Sequence, residues 1–103
     1  MSKKIIFFLG NCFSKNDYER FGFSLMNKKG YKVEGWDFTP WINKKYYNQY
    51  KNVNFKKIKS YKPLYNMNEI KNSIFELDSK DIIIDLFLIT KNEDIYHAIK
   101  KKN

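Results

Sequence analysis

The chain has 103 residues, 43% of them hydrophobic and 18% aromatic, which is enough for one domain around one core and too much for a disordered segment. Twenty lysines and arginines against 11 acidic residues give a formal charge of +9, and a single cysteine excludes an internal disulfide framework. No apolar run approaches the ~20 residues of a membrane-spanning helix, and the run after Met1–Lys4 lacks the length and cleavage site of a signal peptide.

Arg20 is the only arginine; every other basic residue is lysine. Base readout and bidentate phosphate recognition favour arginine. The charge therefore reads as a solvated lysine surface, capable at most of peripheral contact with a membrane, and nucleic acid is disfavoured as a partner. The free cysteine suits a reducing cytoplasm.

In chain order, the first predicted element is a strand over Lys4–Leu9, an unbroken apolar run of the kind buried on both faces of a parallel sheet. The loop Gly10-Asn11-Cys12-Phe13-Ser14 follows. Ser14 and Asp17 are spaced as a capping box for a helix over Lys15–Lys29. Tyr18, Phe21, Gly22, Leu25 and Met26 form its apolar stripe, with Gly22 placed for close approach to the sheet. A second strand spans Tyr31–Trp36 and is broken by Asp37-Phe38-Thr39-Pro40. A second, aromatic-rich helix spans Trp41–Tyr50. A weaker third strand is placed at Val53–Ile58, with Lys62-Pro63-Leu64 as a connector. Asn66 or Asn68 caps a third helix with Met67, Ile70, Ile74 and Leu77 on its apolar side. The fourth strand, Ile82–Ile89, is interrupted only by Asp85. Asn92 caps the last helix, whose acidic start and lysine-rich end match the helix dipole.

Strands and helices alternate throughout, which gives an α/β fold: a single Rossmann-like half-fold over residues 1–103, in three layers. The four strands run parallel. The two most apolar, the first and the fourth, are expected at the centre, in the order 3-2-1-4. Ile5, Phe7, Ile82, Ile84 and Leu86 are expected in the core.

Open α/β sheets bind ligands beyond the C-terminal ends of their strands. That places Gly10, Asn11, Ser14, Asp37 and Thr90 in a ring of candidate ligand-binding residues. Only one of the three glycines of a dinucleotide fingerprint is present, so no cofactor is assigned. Asp37 stands where a ribose-binding acid would, or forms an ordinary turn. Cys12 and the single histidine, His97, lie on different sides of a crossover and suggest neither a nucleophile pair nor a metal site. No catalytic residue is assigned. Asp85 needs a partner, either a lysine or the strand's mouth. The aromatic surplus exceeds what one small helix can bury, and Phe13, Phe38, Trp41 and Tyr46 are expected to be exposed near the strand ends.

Phe13-Ser14-Lys15-Asn16-Asp17-Tyr18-Glu19-Arg20-Phe21-Gly22, followed by Lys29-Gly30-Tyr31-Lys32-Val33-Glu34-Gly35-Trp36-Asp37, resembles the N-terminal domains of bacterial surface-polysaccharide glycosyltransferases of the two-Rossmann (GT-B) type. Lys80-Asp81-Ile82-Ile83-Ile84-Asp85 is similar to their entry into the fourth strand. The resemblance implies an acceptor-side domain that meets a glycan acceptor, pairs with a second Rossmann domain or with itself through exposed aromatics, and is inactive alone. A free-standing Rossmann-like or flavodoxin-like binding module is the alternative, and a basic nucleic-acid-binding protein the third.

Overall fold

A computed structural model describes residues 4–11, 15–51 and 60–101. Strands β1 (Lys4–Leu9), β2 (Lys32–Asp37), β3 (Tyr61–Pro63) and β4 (Ile82–Asp85) form one parallel sheet in the order β3-β2-β1-β4. Among the described residues, six helices accompany it: α1 (Lys15–Arg20), α2 (Phe23–Lys28), α3 (Thr39–Ile42), α4 (Lys44–Tyr50), α5 (Met67–Phe75) and α6 (Glu93–Lys100). A 3₁₀ turn at Ile89–Lys91 precedes α6. The fold class and strand order are those expected.

β1 is the strand buried on both faces. Its side chains alternate between two cores, and this divides the protein into layers. Ile6 and Phe8 meet Trp36 of β2, Phe38 and Leu64 just past β2 and β3, and Ile70, Ile74 and Ile95 of α5 and α6. Ile5, Phe7 and Leu9 meet Val33 and Phe23, with Tyr18, Phe21 and Met26 packed around them. Phe8 stacks on Trp36 at 5.8 Å and tilts against Phe38 at 4.8 Å, spacings at which aromatic pairs attract beyond their area burial. Phe38, expected at the surface, is fully buried in this stack, and Trp41 is partly buried beside it. Phe13 lies outside the described residues. Tyr46 is exposed as expected.

The single helix expected over residues 15–29 is two. Gly22 adopts φ 77°, ψ 25°, a left-handed conformation that costs glycine little and ends α1. The chain restarts in a new direction. Phe23 therefore enters the core, while Leu25, expected on the buried stripe, is 59% exposed. Gly22 is not a close-approach site, since a Cβ there would meet only Met26 Cε at 3.9 Å. The second expected helix is likewise split, because Asn43 caps α4 by accepting from the Tyr46 amide.

The third strand is Tyr61–Pro63, within the stretch expected as a connector; the expected span 53–58 lies outside the described residues. β3 is an edge, where Pro63 costs no ladder bond. The fourth strand is shorter than expected and lies at the other edge, not the centre. Ile82 and Leu86, expected in the core, are each more than two-fifths exposed, while Ile83 and Ile84 are half-buried. The expected caps at Asn66 and Asn92 are present, accepting from the Glu69 and Ile95 amides.

Candidate functional site at the C-terminal edge of the sheet

The strand exits are bonded to one another in sequence across the sheet. The Phe38 amide donates to the Leu9 carbonyl at 2.8 Å, and the Leu64 amide donates to that of Asp37 at 2.8 Å. These bonds fix the loops beyond the sheet relative to one another, so residues distant in sequence share one rim.

At the centre of the rim, β1 runs into Gly10 and Asn11. A Cβ on Gly10 would stand 3.1 Å from both Cβ and Cγ of Phe87, so the absent side chain lets the β4 exit close over the β1 exit. Asn11 is exposed, and its Oδ1 accepts from the Tyr46 hydroxyl, which ties the loop to α4. Gly10→Val is expected to displace Phe87 and destabilise the fold by about 1–3 kcal/mol, read by denaturant titration.

Beside Gly10, Asp85 resolves the question its position in a strand raised. It ends β4, and its carboxylate accepts from the Ile89 amide at 2.8 Å, the Thr90 amide at 2.8 Å and the Thr90 hydroxyl at 2.7 Å. The Phe87 amide adds a longer bond at 3.3 Å. These donors hold Leu88 in a left-handed conformation (φ 58°, ψ 36°) and place Thr90 on the rim. Burial pushes the Asp85 carboxyl up, but the bonds from Thr90, Ile89 and Phe87 outweigh it and hold it below its ordinary 3.8. Asp85 thus stabilises the fold when ionised, fully above its ordinary value, and that contribution is lost as pH falls through the lowered one. Urea titrations at about pH 6 and about pH 2 should show wild type losing this increment, and Asp85→Asn, already without it, losing correspondingly less.

Asp37 closes β2 and is fully buried. Its carboxylate accepts from the Thr39 amide at 2.9 Å and from the Thr39 hydroxyl. It also accepts from the hydroxyls of Tyr50 at 3.1 Å and Tyr61 at 2.6 Å. Burial and the Asp37 charge together push the Tyr61 phenol above the usual tyrosine range. Next to it, burial and then a 3.1 Å hydroxyl pair with Tyr65 push Tyr47 up to about 12. These phenols are therefore neutral at physiological pH, and Tyr61 donates to Asp37. The cage joins the end of β2 to the start of β3 and to α4 through hydrogen bonds.

Gly10 thus lies against Phe87, Asn11 is tied to Tyr46 of α4, Thr90 is held by Asp85, and Asp37 is fully buried. Ser14 lies outside the described residues, as does Cys12. His97 is on α6. Among the described residues, no three histidine, cysteine, aspartate or glutamate side chains group as a metal site. Sequence reasoning missed the Asn11–Tyr46 tie, 35 residues apart, and the tyrosine donors of the cage; neither leaves a local signal. The Asp85–Thr90 clasp does leave one, a carboxylate at a strand end with a hydroxyl five residues on.

Leu86, Phe87 and Leu88 stand beside the rim as consecutive apolar residues, each between 42% and 59% exposed. No family model, curated protein or solved structure matches the chain.

Proposed function

We propose that the chain is the acceptor-side Rossmann-like domain of a bacterial two-domain glycosyltransferase of surface-polysaccharide or glycoconjugate synthesis. The observation that carries this function is the rim itself. Two braced loops carry an amide side chain tied to Tyr46 and a hydroxyl that donates to Asp85, Asn11 and Thr90, beside a single glycine, a polar set that suits sugar hydroxyls better than a pyrophosphate. The helix motif around Asp17-Tyr18-Glu19-Arg20-Phe21-Gly22 and the strand ending at Trp36-Asp37 support the family assignment through their resemblance.

In this account Asn11, Ser14 and Thr90 meet the acceptor, Gly10 sets the spacing of the loops, and Asp37 holds the β2 and β3 exits in place. The donor nucleotide sugar and the reacting groups belong to a second Rossmann domain. The neighbouring apolar residues Leu86, Phe87 and Leu88 offer the surface against which such a domain would pack. The purified chain is expected to neither hydrolyse nor transfer a nucleotide sugar, as followed by release of nucleoside diphosphate. Turnover by the chain alone would overturn the division of labour between two domains.

A further inference from the structure

α5 and α6 leave a groove of about 480 Å³ between them, within the range of about 300–1,000 Å³ typical of small-ligand sites. α5 contributes Lys71, Ile74 and Phe75, neighbours on one side of a helix; α6 contributes Asp94, His97, Ala98 and Lys101, spaced three and four apart and so also on one side. Ile74 and Ala98 belong to the wall of the main core, and Phe75 is 75% exposed, the most exposed of the large apolar side chains in the described residues. Ala98 is short, which keeps the floor open between the two helices.

The polar rim of this groove is lopsided. Two lysines, Lys71 and Lys101, face a single carboxylate, Asp94, and His97 adds ring nitrogens between them. A second groove carries the same excess of one positive charge but has little apolar lining, with Trp36 its one large apolar side chain. Its Lys4, Lys32 and Lys62 share the space with Glu34 and Glu76, and Lys4 already lies 3.7 Å from Glu34. The α5–α6 groove thus combines an apolar floor with a net positive rim, which complements an apolar body carrying a negative head group.

We infer that the α5–α6 groove is a binding site for a small anionic amphiphile, its alkyl portion against Phe75 and Ala98 and its anionic head between Lys71 and Lys101. The site is separate from the strand-end rim and independent of the glycosyltransferase assignment.

The test is an NMR titration of the full chain with decyl phosphate below its micelle concentration, with decyltrimethylammonium and inorganic phosphate as controls. Decyl phosphate is expected to give saturable shifts at Ile74, Phe75, His97 and Ala98. The cationic amphiphile is expected to bind at least about tenfold more weakly, because it meets two ammonium groups. Inorganic phosphate alone should give no saturable shift there. Lys71→Glu should weaken decyl phosphate at least about tenfold without altering the fold, since the side chain is exposed. Phe75→Ser should weaken both amphiphiles. Equal binding of the two amphiphiles would overturn the assignment, as would shifts centred on Leu86–Leu88 or no shift at all. An acidic helical peptide that binds the groove while decyl phosphate does not would also overturn it, and would make the surface a protein-docking site.

Discussion

Replacing Phe8 by alanine is expected to remove about 3–5 kcal/mol of stability, a large part of the ~5–15 kcal/mol available to a domain of this size. Phe8 is fully buried at the middle of the sheet, and it is the ring on which both Trp36 and Phe38 rest. Truncation leaves a cavity bounded by two rings, and neither can collapse into it easily. Trp36 is held by its indole N–H, which donates to Glu34 at 2.8 Å, and by Lys62, whose ammonium lies 5.0 Å over the ring. Phe38 is held because its amide donates to Leu9. The loss should appear as a lower denaturation midpoint with an unchanged slope. A loss below about 1 kcal/mol would mean that the stack does not organise the core.

Asp37→Ala is expected to cost about 3–5 kcal/mol by the same measurement, because it removes the charged acceptor that Thr39, Tyr50 and Tyr61 share. Asp37→Asn keeps the shape and one acceptor oxygen, so its loss should be smaller. The phenols should report the change as well. Without the Asp37 charge, Tyr61 ionises at lower pH than in wild type, because that charge is one of the causes that holds it neutral. Ultraviolet titration of the folded protein should then show more phenolate at high pH in Asp37→Ala than in wild type. If Asp37 instead contacts ligand directly, Asp37→Ala should abolish binding at the rim while leaving stability within about 1 kcal/mol of wild type.

The parts of the fold that were legible in the sequence are those with a local cause. β1 is a run of five apolar residues that no amphipathic helix would carry, and the strand order follows once it is central. Asn66 and Asn92 cap their helices through contacts three residues away. What was illegible depends on tertiary contacts. Tyr61-Lys62-Pro63 has no strand pattern; it becomes β3 because β2 offers a free ladder, with the Gly35 amide donating to the Ser60 carbonyl at 2.7 Å. Gly22 sits in an otherwise regular helical stripe, and only its left-handed backbone reveals two helices. An unbroken apolar run suggested a long central fourth strand, but Asp85 stops it and recruits the following amides into a clasp. The candidate site divides in the same way. That Gly10, Asn11 and Thr90 lie past the ends of β1 and β4 follows from topology alone. The fully buried carboxylate of Asp37 depends on tyrosines 13 and 24 residues away.

The most direct test of the acceptor-side assignment is a two-dimensional NMR titration of the chain with a panel of short oligosaccharides and, separately, with UDP-, GDP- and CMP-sugars. At least one oligosaccharide is expected to give saturable shifts at Gly10, Asn11, Ser14 and Thr90, with a smaller response at Asp37 through the Thr39 bonds, while the nucleotide sugars bind more weakly or not at all. Shifts confined to Lys4 and Lys32 at the opposite end of the strands, or tight binding of a nucleotide sugar at the rim, would contradict it.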